Sequence, residues 1–109
     1  MPSISTRVKY ETLRTFNSAS LTSSYQAVGA ATSHDCFLIK MVNNGTTAVT
    51  VSFNGTTDHD ICPATSFFLY DEQANASREG GMRVPIGTTV YVKGTAGTGT
   101  IYVVVQYAG

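Results

Sequence analysis

Charge is scarce in this chain. Seven Lys and Arg balance seven Asp and Glu, so the net charge is zero and only 13% of the 109 residues are charged. Globular proteins average about 25%. A domain with so little charge has little repulsion to hold it apart from other subunits. The few cations do not cluster. Residues 1–33 carry Arg7, Lys9 and Arg14 against Glu11, residues 34–72 carry Lys40 against Asp35, Asp58, Asp60, Asp71 and Glu72, and residues 73–109 carry Arg78, Arg83 and Lys93 against Glu79. No segment reaches the basic density of a nucleic-acid surface, so no nucleic-acid partner is expected. No apolar run approaches a membrane-spanning length, so no membrane partner is expected either.

Cysteine is limited to Cys36 and Cys62, in neither a CxxC nor a zinc spacing. The N-terminus lacks the apolar run of a secretory signal. Synthesis in a reducing cytoplasm and free thiols are therefore expected. The sequons at Asn44, Asn54 and Asn75 then read as turn chemistry, not glycosylation sites. Tryptophan is absent although there are six tyrosines. Sugar-binding β-sandwiches usually recruit Trp, so the tyrosines read more economically as protein-contact residues. Catalytic motifs are missing too. There is no GxSxG elbow, and the glycine-rich 94–100 stretch has no phosphate-loop Lys and joins two strands.

Helical periodicity is nearly absent as well. What is present is a series of short β-branched runs separated by turn residues roughly every ten positions, the pattern of an antiparallel sandwich or barrel. Segment 7–16 alternates at its start, with Val8 and Tyr10 on one face and Arg7, Lys9 and Glu11 on the other. Segment 17–24 is loop-like, 25–31 is a weak strand, and 36–42 (CFLIKMV) is a strong strand apolar on both faces. The tetrapeptide NGTT occurs at 44–47 and again at 54–57. Asn-Gly favours a type I′ hairpin turn, and a turn at Asn44-Gly45 would set Leu38 opposite Val51 and Cys36 opposite Phe53. The intervening strand turns Val49, Val51 and Phe53 to one face. A tight turn at Asn54-Gly55 would aim Asp58 and Asp60 at the core, so 58–60 is expected on a loop or after a bulge. Segment 65–70 is a strand. Segment 71–81 is a polar connection with room for one helical turn. A hairpin pairing Gly94 with Gly99 would align Val92 with Ile101, Val90 with Val103 and Tyr91 with Tyr102. It buries the valines and Ile101 and leaves Tyr91, Lys93, Tyr102, Val104 and Gln106 on a second face too apolar for open solvent. Those five residues are the predicted interface.

The one cluster resembling a metal site is His34-Asp35 with Asp58-His59-Asp60. Imidazoles and carboxylates would ligate a divalent ion if the two loops met, but the spacing matches no ligand motif. No metal and no other cofactor are expected. Cys36, within an apolar strand, reads as inert packing; Cys62, before Pro63, reads as partly exposed with nothing to activate it.

The stretches NNGTTAVTVSFNGTTDHDICPATSFFLYDEQANA and GMRVPIGTTVYVKGTAGTGTIYVVVQYAG resemble the small accessory virion proteins of tailed bacteriophages. The resemblance covers roughly residues 41–109 and lies in NGT turns, the P-x-G-T-x-V-Y-V-K-G lead-in and a Val/Tyr-rich last strand. Residues 1–33 match nothing of that kind. The resemblance implies a jelly-roll-like sandwich carried in many copies on a phage particle. The expectation is thus one all-β domain over residues 1–109, an antiparallel sandwich of seven to nine strands, with 1–33 an N-terminal arm or strand region. Its function would be that of a non-enzymatic virion subunit, most simply a decoration or cement protein on the major capsid protein, and a homo-oligomer. Head–tail connector, tail or fibre-base component are the alternatives within that class. A carbohydrate-binding module for host attachment and a small metal-dependent hydrolase are the rivals from other classes.

Overall fold

The computed structural model describes residues 8–71 and 84–108. Among these residues nine strands form two antiparallel sheets: β1 (Val8–Tyr10), β2 (Arg14–Asn17), β3 (Gln26–Ala27), β4 (Cys36–Asn43), β5 (Val49–Ser52), β6 (Asp60–Cys62), β7 (Ser66–Asp71), β8 (Tyr91–Gly94) and β9 (Thr100–Ala108). The larger sheet runs β1–β9–β4–β7, with β2 also on β9; the smaller runs β3–β8–β5–β6. β1 pairs with 106–108 and β2 with 100–103 of β9, so the two are halves of one interrupted edge strand. Counted that way, the strand order is that of a jelly roll, and the predicted all-β sandwich is the fold.

Alternation builds the core. Ile39 and Met41 of β4 and Ile101, Val103 and Val105 of β9 face Val49 and Val51 of β5 and Val90 and Val92 beside and within β8, all at most 4% exposed. Each such side chain contributes about 1.5–3 kcal/mol by leaving water.

The inward sets of β5, β8 and β9 are those the alternation predicts. On β4 a register shift between Cys36 and Leu38 turns Leu38, expected on the core face, outward and sends Ile39 and Met41 in. The strand partners also differ from those expected. β4 and β5 lie in different sheets, so Leu38 pairs with Gln106 and Asp71, and Val51 with Val92 and Asp60. Gly45 has no positive φ. It is a corner between the sheets, where a Cβ would stand 2.9 Å from Ser18 Oγ. The buried Asn43 amide ties this corner together. It donates to the carbonyls of Thr47, Cys62 and Pro63 at 3.0–3.2 Å, and its oxygen accepts from Gly45 N–H at 2.9 Å.

The expected β8–β9 hairpin also divides between sheets. Val92 pairs with Val51 and Gln26, whereas Ile101 pairs with Phe16 and Asn43. Gly99 makes the crossing possible: its φ is +106°, and a Cβ there would lie 2.3 Å from Asn44 O. The second NGT turn follows expectation in part. Gly55 has φ +80°, Asn54 Oδ1 accepts from the N–H groups of Thr56 and Thr57, and Asp58 and His59 stay on the loop, but Asp60 opens β6 and pairs with Val51. Of segment 71–81, on which a helical turn was considered, Asp71 ends β7 and the rest lies outside the described residues.

The N-terminal segment differs in its faces. Val8 and Tyr10 point to solvent, 53% and 63% exposed, while the Glu11 carboxylate turns inward and is 3% exposed. The described part of residues 1–33 does not blanket a sheet; it lengthens one edge of the larger sheet and adds β3 to the smaller.

Candidate assembly surface

Strand pairing defines the outer face of the larger sheet. Val42 stands between Tyr102 on β9 and Phe67 on β7; Lys40 stands between Val104 and Leu69; Leu38 stands beside Gln106, which faces Tyr10 across β1. Period-two alternation turns all of these away from the core. Phe67 is 64% exposed and Leu69 49%. Tyr10 is exposed too, and Leu38, Lys40, Val42, Tyr102, Val104 and Gln106 are half-buried. Lys40 is the single cation among them and makes no ion pair among the described residues.

The predicted interface residues fall into two groups. Tyr102, Val104 and Gln106 belong to this face. Tyr91 and Lys93 sit on the outer face of the smaller sheet, on the opposite side of the sandwich, because β8 and β9 are not partners. Those two are already occupied. The Tyr91 ring lies over Gly55. Lys93 Nζ pairs with Asp58 at 3.0 Å and sits 4.6 Å above the Tyr25 ring. Tyr25 also donates to Asp58. Desolvation, then the Asp58 hydrogen bond and charge, push the Tyr25 phenol up to about 12, while the same bond and Lys93 hold Asp58 below its ordinary value.

The residues weighed as metal ligands have other partners. His34 Nδ1 meets Glu11 Oε2 at 2.8 Å, with its ring stacked 3.7 Å from Tyr107. Asp35 accepts from Ile86 N–H at 2.7 Å, and His59 Nδ1 accepts from Phe53 N–H at 3.0 Å. Asp60 accepts from the Tyr70 hydroxyl and from Ile61 N–H. Among the described residues no group of three or more His, Cys, Asp or Glu side chains is placed to hold a metal ion.

A groove of about 650 Å³ runs along the break between β1 and β2, with Tyr10, Arg14, His34 and Tyr107 in its wall. Glu11 lies at its base. Burial opposes the Glu11 charge, but hydrogen bonds from His34, Arg14 and Ser33 N–H, with the Arg14 charge, outweigh it and hold the carboxyl below its ordinary 4.5. Arg14 offers a ligand little. Its guanidinium donates to the carbonyls of Thr12, Ala30 and Ala31 and to Glu11. The cluster ties the loop before β4 to the edge strand, and that is a structural task.

Both cysteines are free and fully buried. That corrects the partly exposed position expected for Cys62. Burial, then the Glu11 charge, pushes the Cys36 thiol up to about 11; burial raises Cys62 as well. Neither is a poised nucleophile.

No family model matches this chain, and no curated protein does. A solved chain from work on Bacillus endospore appendages, described there as a novel family of disulfide-linked pili, overlays 93% of this chain and 88% of its own at a TM-score of 0.45 and 19% identity. An overlay of that quality bears on neither function nor partners.

Sequence reasoning missed Tyr10, Val42, Phe67 and Leu69 as members of the exposed face, and expected Leu38 on the core face instead. The signals were there: TSFFLY places Phe67 and Leu69 on one face, and CFLIKMV is apolar on both. They could not be joined to Tyr102 and Val104 without knowing that β9 and β7 flank β4.

Proposed function

We propose that this chain is a non-enzymatic structural subunit that docks on other subunits through the outer face of its larger sheet, and that the assembly is a tailed-phage virion, with the major capsid protein or a neighbouring virion subunit as partner. The observation that carries the reading is the contiguous face of Tyr10, Leu38, Val42, Phe67, Leu69, Tyr102 and Val104. Lys40 and Gln106 interrupt this face, but large apolar side chains make up most of it, and apolar patches of that kind serve protein contact. The phage particle enters through the sequence resemblance alone. A decoration or cement role is the simplest one for a single small sandwich with no catalytic constellation among its described residues.

Tyr102→Asp tests it. The side chain points away from the core, so the fold should persist, while a carboxylate buried in the contact would lack a partner and cost several kcal/mol. The expected result is a folded variant that is not incorporated into particles. Incorporation equal to the parent's would sink the proposed surface.

A further inference from the structure

The chain contains two Asn-Gly dipeptides, Asn44-Gly45 and Asn54-Gly55. Glycine has no side chain to shield its nitrogen, so that nitrogen attacks the preceding asparagine amide more readily than any other residue's would. The nitrogen gives its proton to hydroxide and bonds to Cγ. Nδ2 leaves as ammonia after taking a proton back from water, and a cyclic succinimide remains. Water then opens the ring at either carbonyl, to aspartate or to isoaspartate. One amide and one water become one carboxylic acid and one ammonia.

Both asparagines are exposed, but their glycine nitrogens are held differently. Gly45 is buried. Its N–H donates to Asn43 Oδ1 at 2.9 Å, and its carbonyl accepts from Thr65 N–H. Asn44 N–H donates to Thr100 O, and Asn43 is itself tied to Cys62 and Pro63. Those bonds reach β9, β6 and the turn before β7, so freeing the Gly45 nitrogen means opening the core. At Asn54 the restraint is local and centres on one buried hydroxyl. Ser52 Oγ accepts from Gly55 N–H at 2.9 Å and donates to Asn54 Oδ1 at 2.9 Å. It therefore holds the attacking nitrogen and the group under attack at the same time. Asn54 Oδ1 also accepts from Thr56 and Thr57 N–H, and its Nδ2 donates to Thr57 Oγ1. All these partners lie within 52–57, on a loop that opens without the core.

We infer that Asn54 is a site of covalent modification, in which its amide is hydrolysed to a carboxylate through a succinimide with Gly55 N, and that Ser52 is the positioning residue that restrains it. This is independent of docking on other subunits. Conversion adds a negative charge to a chain of zero net charge, in the loop that carries Asp58. The isoaspartate product also lengthens the backbone beneath the Tyr91 ring.

The purified full chain, kept folded in mildly alkaline buffer, should slowly accumulate acid at Asn54 and none at Asn44. Fragment-ion mass spectrometry localises the change, and chromatography separates aspartate from isoaspartate. In denaturing urea both asparagines should convert, Asn54 faster than in the fold. Ser52→Ala should speed Asn54 about five- to tenfold, the effect of losing a restraining hydrogen bond, with Asn44 still silent. Asn44 reports on folding, since an unfolded Ser52→Ala chain would convert there as well. In that event Thr57→Val, at an exposed position, carries the test, and it should speed Asn54 about two- to fivefold. Conversion of Asn44 in the folded parent at the rate of Asn54 or above overturns the site. So does an Asn54 that converts as fast folded as in urea, or that stays intact in both the parent and the folded variants. A folded variant that converts Asn54 at the parent's rate overturns the restraint.

Discussion

Glu11 Oε2 and His34 Nδ1 lie 2.8 Å apart at the base of the groove between β1 and β2, and the same carboxylate accepts from Arg14 at 2.7 Å through its other oxygen. This buried acid pins the loop before β4 to the edge of the larger sheet. Its carboxyl titrates below 4.5 in the fold. A depressed carboxyl stabilises the fold above its unfolded value, about 4.3, and the contribution is lost as pH falls through the folded value. Thermal stability should therefore decline below about pH 4.5, and Glu11→Gln should make that acid decline shallower. At neutral pH Glu11→Gln should cost about 1.5–3 kcal/mol, as hydrogen bonds to a charged group are lost. An unchanged acid limb in urea titrations from pH 2 to 7 would show that Glu11 does not drive it.

The thiols should be unreactive in the native state. Cys36 and Cys62 are fully buried, and Cys36 has its pKa raised to about 11. Labelling with an aromatic disulfide at pH 8 should follow unfolding, reaching two thiols per chain only in denaturant. Rapid native labelling would mean that the core opens near β4 or β6.

Gly99→Ala should be among the more damaging single-atom-group changes. The residue sits at φ +106°, and the added Cβ would meet Asn44 O at 2.3 Å. Strain in that region costs about 1–3 kcal/mol before any clash is counted. Gly87→Ala is the control, with φ +90° and nothing within 4 Å of the added Cβ. Equal losses would mean that φ strain alone matters and the close approach at the corner does not.

The Lys93–Asp58 pair should matter little to stability. Both partners reach solvent, and exposed pairs are worth about 0–1 kcal/mol. Lys93→Ala should move the denaturant midpoint only slightly, and chelators should not move it at all. A marked drop in melting temperature in EDTA would show that 58–60 holds an ion.

Alternation along single strands was legible because it depends on local geometry alone. Val49 and Val51, Val90 and Val92, Ile101, Val103 and Val105 all went inward as their period-two spacing requires. The turn at Asn54-Gly55 was legible for the same reason. A positive φ at Gly55 and an Asn side chain capping its own loop involve only neighbours in sequence.

Pairing was not legible, because a strand's inward pattern is the same whichever strand lies beside it. The chain crosses between sheets after Asn43 and again before Thr100, and what decides this is long-range. Asn43 reaches Cys62 and Pro63, and Gly99 closes on Asn44. Those crossings put Tyr91 and Tyr102 on opposite sides of the sandwich and brought Phe67, Val42 and Tyr102 into one row. Glu11, read only as sharing a strand face with Arg7 and Lys9, is buried, since only the folded molecule brings Arg14, Ser33 and His34 around its carboxylate. By itself the sequence determined an all-β chain, most of its inward residues and a surplus of outward apolar ones. Which of those outward residues share a face was decided by sheet order, a property of contacts far apart along the chain.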